Sequence, residues 1–585
     1  MALEEAYLLM DRQYEGLNLQ LHYYQIQGKN IQLSIQEQQT RIILTEECLT
    51  KILGSTIIQR NKQIQIEEIN LILIKQLIES TIQIKEPKDQ IDHLAAIKGI
   101  QNQENNMKKQ ILFIALSMNI ITISAQNEID AFRYSNQDLI GTARYSSMAG
   151  AFGSLGGDFS TLSSNPAGIG MYQFSEFTFT PTLNFNSTKS YYTNSHFSEY
   201  KSGMSIGNIG VVFSKRKRNS DWKRINIGIG WNQLANYDNT VKIEGINYES
   251  SIVDKFIKLT NGTLTGELTN GEGNSYSQMA WNTYLIDPLS INNELIDGEY
   301  ISNFSSAEKL QSKLTKSIGG MNEFIFSIGG SYQEKLYIGA TIGIPTINYY
   351  EDSEYLEREI NDTTSNLRRM LFSEEISAYG TGINLKIGGI YRLSKRIKIG
   401  GSLHTPTFFN IEEQYNTSIT TFFKDSTLNY SMGYFTPFKY DLITPLKASI
   451  SGSTVFNNII ISAEYELIDY STAEYLTGDL ERENIVIANI YQRTENIKLG
   501  AEMTIKPFVL RAGYSKYGSA FVEKDFSSEN FSYGIGINNG GYFFDVSYVL
   551  SQGKTEDLLY GEDYISPINL VNTKHNLIFT LGFRY

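Results

Sequence analysis

From residue 173 onward, much of the chain alternates apolar and polar residues with a period of two. In "RINIGIGWN" (224–232) and "NLIFTLGFRY" (576–585), every second residue is apolar, and most of the residues between are polar or small. Alternation of this kind over about 10 residues is typical of transmembrane β-strands. Strands of a soluble β-sandwich also alternate, but their lengths cluster near ~5–6 residues. The pattern therefore favours strands that cross a membrane.

We predict fourteen such strands. They lie at 174–186, 203–214, 223–236, 322–332, 336–349, 375–393, 396–410, 438–456, 459–470, 494–504, 508–515, 530–537, 541–551 and 573–585. Links after even-numbered strands are short, whereas links after odd-numbered strands are expected to run to tens of residues, the longest near 237–321. Bacterial outer-membrane barrels sort their connections in this way. We therefore predict an all-β fold, a 14-stranded antiparallel transmembrane β-barrel over 173–585, with both termini in the periplasm.

The segment 126–172 does not alternate and is rich in Gly, Ala and Ser. Eight strands give an interior filled by side chains, and 16–18 strands leave an aqueous channel. A 14-stranded barrel lies between these sizes and would leak unless something filled it. We predict that 126–172 forms an N-terminal hatch (plug) inside the lumen. A flexible periplasmic tail is the alternative.

A secretory signal peptide is predicted at 107–125. Lys108 and Lys109 precede an apolar stretch from Ile111 to Ile123, and small residues at Ser124–Ala125 form a cleavage site. The apolar stretch is shorter than the roughly 20 residues of a transmembrane helix. Cleavage near Ala125 would start the mature protein at Gln126.

Residues 1–106 have a different composition, rich in Ile, Gln, Leu, Glu and Lys, and 66–84 has a helix-like apolar pattern. We interpret 1–106 as a helical extension that reflects a mis-assigned start, with Met107 as the true first residue, or a fusion. The alternative is an authentic helical domain followed by a signal anchor.

Composition and charge exclude several function classes. The net charge of −13 argues against nucleic acid as a partner. A single cysteine, Cys48, and five scattered histidines offer neither a disulfide framework nor a metal site. "GTGINLK" (380–386) lacks the Gly-x4-Gly-Lys-Ser/Thr spacing of a phosphate-binding loop. The sequence thus predicts a non-enzymatic protein with no cofactor, no metal and no catalytic residue.

One motif and several longer stretches carry a family resemblance. "NPAG", at Asn165, Pro166, Ala167 and Gly168, precedes the first strand, and "GIGWNQLANY" (228–237), "LYIGATIGIP" (336–345) and "EYELIDYS" (464–471) follow in order. Together they resemble the FadL/TodX family of outer-membrane transporters for long-chain fatty acids and aromatic hydrocarbons, in its Bacteroidetes branch. The resemblance covers 126–585 and none of 1–106.

The resemblance implies a monomer in the outer-membrane bilayer, whose hatch shifts to pass a hydrophobic small-molecule ligand. It also implies a kinked third strand that opens laterally. The matching strand is 223–236, where Gly228, Gly230, Asn232 and Asn236 are the candidates. The aromatic C-terminus, Tyr585, looks like a signal for the outer-membrane assembly machinery.

The loop 237–321 is expected to capture ligand. Trp281, Tyr284, Leu285 and Leu289 are the groove candidates, with a self-packed loop core as the alternative. A ligand carboxylate would need a cation, such as Lys255, Lys258 or an inward-facing Arg. Two other functions stay open: an interaction component of a secretion system, and a haemin receptor, since Tyr is abundant.

Overall fold

The computed structural model describes residues 21–25, 30–35, 41–45, 128–304, 308–360, 366–433, 437–561 and 564–585. The chain divides into two compact units, Met1–Thr122 and Ile123–Tyr585.

In the first unit, the described residues form a three-stranded antiparallel sheet of Leu21–Gln25, Asn30–Ile35 and Arg41–Thr45. These residues are strands and not the helix expected over 1–106. The sequence "NIQLSI" alternates with a period of two, which suits a strand better than a helix. The helix-like stretch 66–84 and the signal-peptide segment 107–125 lie outside the described residues.

The second unit is a closed barrel in which neighbouring strands are antiparallel. Its strands are β1 Glu176–Tyr192, β2 Ser195–Arg216, β3 Trp222–Asn236 continuing as Asn239–Asn247, β4 Lys309–Tyr332, β5 Leu336–Glu359, β6 Leu367–Arg392, β7 Ile397–His404 continuing as Phe408–Phe423, β8 in three pieces (Thr427–Gly433, Phe438–Ile443 and Lys447–Phe456), β9 Ile459–Asp469, β10 Arg493–Ile505, β11 Phe508–Tyr517, β12 Ser528–Asn538, β13 Tyr542–Asp557 and β14 Ile568–Arg584. β14 pairs with β1 and closes the ring. The predicted 14-stranded barrel is confirmed.

The two ends of the barrel differ. The turn end carries the short connections 217–221, 333–335, 393–396, 457–458, 506–507 and 539–541, and the loop end is the opposite one. Strands extend further toward the loop end than the pattern predicted. β1 and β2 therefore meet there in a two-residue turn at 193–194 rather than in a long loop, and the largest loop narrows to 248–308.

Seven helices lie within the described ranges: α1 Glu128–Ser135, α2 Ala143–Ser147, α3 Thr161–Ser164, α4 Ile252–Thr260, α5 Thr265–Asn270, α6 Ser275–Asn282 and α7 Glu481–Ile490. The short 3-10 helices are Pro166–Met171, Tyr470–Thr472 and Gly478–Leu480. A small hairpin, Ile286–Ile291 with Glu294–Ser302, stands apart from the barrel sheet, and Glu474–Tyr475 pairs with β8. Among the described residues, no helix is both long and apolar enough to cross a membrane.

The wall of the barrel is apolar outside and polar inside. In β14, Leu581 and Phe583 are 41 % and 52 % exposed, whereas Thr580 beside them is fully buried. In β3, Ile227 points outward and Asn226 inward. A protein folded in water would bury the apolar face instead. The outer surface is therefore the face that meets lipid.

Candidate functional site

Residues 128–172, called here the N-terminal segment, lie inside the barrel. Their backbone donors reach side chains on the inner face of the wall: Ala143 N donates to Thr580 Oγ1 at 2.7 Å, and Gly153 N donates to Glu464 Oε2 at 2.7 Å. The segment enters β1 at the turn end. It thus runs down the lumen before the chain joins the wall.

The Asn-Pro-Ala-Gly motif starts the 3-10 helix of this segment. Asn165 is buried; its Oδ1 accepts a hydrogen bond from Ala167 N at 3.1 Å, and its Nδ2 donates to Gly153 O at 2.5 Å. Pro166 occupies the first helical position, where no N–H is needed. A Cβ on Gly168 would overlap Thr161. The four residues are therefore brought together as one packed turn against the wall.

A ring of wall glycines receives the N-terminal segment, and the sequence pattern did not reveal it. A Cβ at Gly210 would overlap the ring of Phe159, and one at Gly388 would overlap Asn165. In all, a Cβ would overlap the N-terminal segment at ten glycines on nine strands: Gly210, Gly228, Gly230, Gly329, Gly339, Gly388, Gly400, Gly500, Gly513 and Gly534. Backbone of the segment approaches backbone of the wall, because side chains are missing between them.

Gly228 and Gly230 belong to this ring. A Cβ on either would overlap Leu162 or Phe159, and both glycines keep regular pairing with β4. Both glycines thus make room for the N-terminal segment. Of the four candidates for a distortion of the third strand, Asn232 and Asn236 remain.

Buried ion pairs hold the segment at the same level. Arg144 donates to Glu502 through Nε at 2.8 Å, and Glu502 also accepts from Arg511 Nε at 2.7 Å. Arg511 in turn donates to Asp545 at 2.7 Å. The side chains of Glu502, Arg511 and Asp545 in the wall are nearly inaccessible to solvent. Breaking it would leave charges buried without a partner, which is costly.

β3 leaves its neighbour β2 at Asn232. The pair of Asn208 and Asn232 is the last between these strands in the described part of the chain. The pairing of β3 with β4 shifts there by one residue, with Leu234 as the extra residue. Residues 233–235 are buried in succession, so the alternation stops. We call residues 232–236 the wall break.

Beyond the wall break, β3 leans against the inside of β1. Thr188 Oγ1 donates to Asn239 Oδ1 at 2.9 Å, and Ser190 Oγ donates to the carbonyl of Lys242 at 2.5 Å. This part of β3 still pairs with β4. The loop-end half of β2 therefore has a free edge on the side of β3 among the described residues.

Asp138 of the N-terminal segment occupies the freed edge of β3. Its N–H donates to Leu234 O at 2.9 Å, and its carboxylate accepts from Asn236 N at 3.0 Å. Lys574 also donates to the carboxylate, at 3.1 Å. Ser163 of the segment also accepts a hydrogen bond from Asn232 Nδ2, at 2.7 Å. Asp138 and Ser163 thus join the segment to the wall break, and no sequence motif marked either residue.

An aromatic chamber surrounds α1 above the ring of glycines. Phe132 packs on Tyr470 at 5.1 Å between ring centroids, and Arg133 lies over the ring of Tyr349 at 4.2 Å. The chamber comprises Ala131, Phe132, Tyr134, Leu234, Ala235, Tyr237, Tyr349, Phe409, Tyr440, Tyr470, Tyr475, Ile487, Tyr491 and Phe521. Two residues of the wall break, Leu234 and Ala235, belong to it.

A cavity of about 100 Å³ lies where the chamber, the wall break and the N-terminal segment meet. Its apolar lining includes Leu139, Ile140, Leu234 and Ile468. Its polar lining includes His404 and three lysines that the sequence analysis did not select, Lys386, Lys447 and Lys498. In the part of the chain that the structure describes, no cluster of His, Cys, Asp and Glu is suited to a metal ion.

The three lysines differ in how fully their donors are used. Lys386 lies 2.5 Å from Glu323, and Lys498 lies 3.1 Å from Glu464. Lys447 donates to Gln137 Oε1 at 2.7 Å, and its nearest carboxylate oxygen, on Glu466, is 3.8 Å away. An ammonium group has three donors. Lys386 and Lys498 each donate two hydrogen bonds to carboxylates, whereas Lys447 donates one, so Lys447 has the most donors left for an anionic group.

Residues 248–304 of the largest loop cover the loop end of the lumen. They join side chains of β1, β3, β5, β6, β7 and β14 in one apolar core that includes Phe256 and Met279. We call this part of the loop the cover. Glu357 of β5 binds the cover to the wall, because its carboxylate accepts hydrogen bonds from Ser251 Oγ at 2.5 Å and from Ile252 N at 3.2 Å. The carboxylate lies at the N-terminus of α4, where negative charge is favoured.

The four residues predicted to line a capture groove have different surroundings. Leu285 is fully buried in the core of the cover, and Trp281 packs edge-to-face on Tyr300 at 6.2 Å. Tyr284 is 60 % exposed, and Leu289 lies half-buried in the small hairpin. Leu285 and Trp281 thus pack within the loop, as expected for the alternative of a self-packed loop core.

Lys255 and Lys258 also lie in the cover, away from the lining of the cavity. Lys255 lies 5.5 Å from the ring centroid of Tyr276, and Lys258 lies 5.8 Å from that of Tyr564. Burial lowers the pKa of Lys255, with Glu374 acting in the opposite direction. The lysines that line the cavity come from the wall, where inward-facing polar residues are too numerous for a pattern to single them out.

No family model and no curated protein matches the chain. Among solved structures, it is similar to the Pseudomonas putida toluene transporter TodX, with 12 % identity, a TM-score of 0.42 and coverage of 77 % of this chain and 98 % of that one. It is similar to a Pseudomonas aeruginosa FadL homologue, with 12 % identity, a TM-score of 0.44 and coverage of 77 % and 99 %. The Ralstonia pickettii toluene transporter TbuX has 12 % identity, a TM-score of 0.39 and coverage of 77 % and 99 %.

Proposed function

We propose that this barrel resides in the outer membrane and transports hydrophobic small molecules that carry an acidic head group, such as long-chain fatty acids. The observation that carries the proposal is the shared cavity, which is lined at once by the aromatic chamber, the wall break and Lys447. The loop end faces outward and the turn end faces the periplasm, as in other barrels of this membrane.

The apolar part of the ligand belongs in the aromatic chamber. At the level of the glycine ring, the lumen is closed by buried charges such as Arg144 and Glu502, so an apolar chain gains nothing by passing there. A fatty acyl chain gains about 0.8 kcal/mol for each CH₂ moved out of water. Release through the wall break into lipid keeps that gain, and release into the periplasm forfeits it.

The ligand needs more room than the cavity now offers. Sites for molecules of this size measure ~300–1,000 Å³, and the cavity measures about 100 Å³. α1 occupies part of the chamber with Ala131, Phe132 and Tyr134. We infer that the ligand displaces α1, which is two turns long and supplies apolar contacts that an acyl chain can replace.

Asp138 connects this displacement to the wall. If α1 moves, two hydrogen bonds are released: the one that Asp138 N donates to Leu234 O and the one that the Asp138 carboxylate accepts from Asn236 N. The edge of β3 is then free to move at Asn232–Asn236. In this proposal the part of the predicted hatch 126–172 that moves is 128–140, and Lys447 binds the carboxylate with the donors that Gln137 leaves unused.

Capture occurs in this proposal on the solvent side of the cover, where Tyr284 is exposed. The signal peptide is removed near Ala125, shortly before Glu128, whose carbonyl accepts from Tyr491 Oη at 3.0 Å. N-terminal sequencing of the protein from membranes tests the cleavage. A retained segment 1–106 would contradict it.

Deletion of Leu234 tests the lateral route. Without the extra residue, β3 returns to a regular register with β4, and uptake of labelled oleate by cells that depend on the barrel should fall at least ~tenfold, in proportion to the lost population of open states. Deletion of Glu523, in an exposed loop, is the matched control and should leave uptake within about twofold. Uptake that is unchanged when the whole barrel is absent would refute the transport function.

A further inference from the structure

The turn between β2 and β3 carries a dense positive charge that the transport proposal does not use. Residues 214–224 include six Lys or Arg and one acidic residue, Asp221. Lys215, Arg216, Lys217 and Arg218 are all exposed. Within the described residues, none of these four side chains has an ion-pair partner. The charge therefore faces outward, uncompensated.

The positive charge continues along one side of the turn end. The next turn is hydrogen-bonded to the first, because Gln333 N donates to Asp221 O at 2.7 Å. It adds Lys335 beside the acidic Glu334, and the turn after it adds Lys395 and Arg396, all exposed. We call Lys215, Arg216, Lys217, Arg218, Lys335, Lys395 and Arg396 the basic rim. On the opposite side, the turns 457–458 and 539–541 contain only Asn and Gly, and the turn 506–507 between them adds one cation, Lys506.

The basic rim begins where the lipid-facing surface ends. Phe213, two residues before Lys215, is half exposed on the outer face of β2. Trp222 and Tyr332 form an edge-to-face pair, with centroids 5.5 Å apart, at the same border. Aromatic residues mark the interface between acyl chains and head groups. Cations within a few residues of that border lie at the depth of lipid phosphates.

We propose that the basic rim binds the phosphate groups of anionic phospholipids in the leaflet at the turn end. The rim follows the circumference of the barrel directly beyond the aromatic border, so its cations lie against the membrane surface. Clusters of basic residues beside a membrane-crossing segment attract anionic head groups within about a Debye length. An acidic protein is the competing occupant, and it would need the cations to point away from the membrane.

Native mass spectrometry of the full chain, purified in detergent with equal amounts of dioleoyl phosphatidylglycerol and dioleoyl phosphatidylcholine, tests the proposal. The rim variant carries Lys215→Gln, Arg216→Gln, Lys217→Gln and Arg218→Gln. We expect its preference for phosphatidylglycerol to fall about tenfold, since each cation near the surface contributes to the attraction. The control removes the same charge from exposed lysines at the loop end, through Lys189→Gln, Lys316→Gln, Lys424→Gln and Lys554→Gln.

The control should retain the preference, and both variants should keep the heat-dependent gel mobility of a folded barrel. A rim variant that binds phosphatidylglycerol as well as the unmodified protein overturns the proposal. So does an equal loss in the control, which would show an effect of net charge alone. Loss of binding to a polyglutamate peptide in the rim variant, with lipid preference intact, would assign the rim to an acidic protein instead.

Discussion

The lumen has two halves that hold the N-terminal segment in opposite ways. Near the turn end, residues 141–172 lie against the ring of glycines and are fixed by buried ion pairs such as Arg144–Glu502. Near the loop end, α1 is held mainly by aromatic packing, and the hydroxyl of Tyr134 is buried without a hydrogen-bond partner in the described structure. An unpaired buried hydroxyl costs about 1–3 kcal/mol.

This difference means that residues 141–172 are held in place, whereas the contacts of α1 can be replaced by those of another molecule. Removing one partner of a buried ion pair costs about 3–5 kcal/mol, because the other charge stays buried. Apolar contacts carry no such penalty if another apolar molecule takes their place. Movement in the lumen should therefore start at α1 and stop near Gly141.

The largest effect is expected from Glu502→Ala. The change leaves Arg144 and Arg511 without their shared carboxylate, and the free energy of unfolding should fall by about 3–5 kcal/mol. Thermal unfolding in detergent measures it. Glu495→Ala, at an exposed pair with Arg493, is the control and should change stability by less than about 0.5 kcal/mol. Equal effects would mean that the turn half is not the fixed part.

Gly210→Val should have the next largest effect. The new side chain would overlap Phe159, and overpacking of this kind costs about 1–3 kcal/mol. The N-terminal segment should be displaced, so the ion conductance of single barrels in planar bilayers should rise. Gly452→Val, in β8, meets nothing within 4 Å and should leave conductance unchanged. Restoration of low conductance by adding Phe159→Ala would assign the effect to this contact.

Lys447→Gln tests the polar side of the chamber. A hydrogen bond to a charged group contributes about 1.5–3 kcal/mol, so affinity for a long-chain carboxylic acid should fall about tenfold or more. Affinity for the alcohol of the same chain length should stay the same, because the alcohol has no charge to lose. Tryptophan fluorescence or calorimetry with both ligands measures the contrast. Lys255→Gln should affect neither ligand, and an equal loss with both would remove Lys447 as the carboxylate anchor.

The smallest effect is expected from a tether in the turn half. A Cβ at Gly153 lies 3.0 Å from Ser451 Cβ, so the two positions must separate slightly to reach the distance of about 3.5–4.5 Å in a disulfide. Oxidation of the Gly153→Cys, Ser451→Cys variant should leave uptake within about twofold, since this half stays in place during transport. A tether between Gly553→Cys and Ser528→Cys, both in the wall, is the control. Uptake that stops on oxidation and returns on reduction only in the first variant would show that the turn half also moves.

The alternation of side chains was enough to locate the strands. All fourteen predicted positions fall on strands of the barrel, and the faces of β3 and β14 point as predicted. The reason is local, because successive side chains of a strand point to opposite sides. One residue therefore faces lipid and the next faces the lumen, which produces alternation between neighbouring residues. Strand ends were less accurate, because the pattern weakens where the strands leave the lipid.

The sites inside the lumen could not be predicted in this way. Lys255 and Lys258 were selected from a loop, whereas the cations at the cavity are Lys386, Lys447 and Lys498, from three separate strands. Gly228 and Gly230 were selected for a distortion of the wall, and they instead make room for Phe159 and Leu162. Each outcome depends on which strands face each other across the barrel.

The sequence by itself thus determined the strands and their lipid-facing and lumen-facing sides. Only the tertiary structure decided how Asn165–Gly168 pack as a turn, where Asp138 meets the edge of β3, which glycines receive the N-terminal segment, and which lysine has the most donors left. The first group follows from the periodicity of the backbone. The second arises from closure of the ring and the path of the N-terminal segment, which bring together residues hundreds of positions apart.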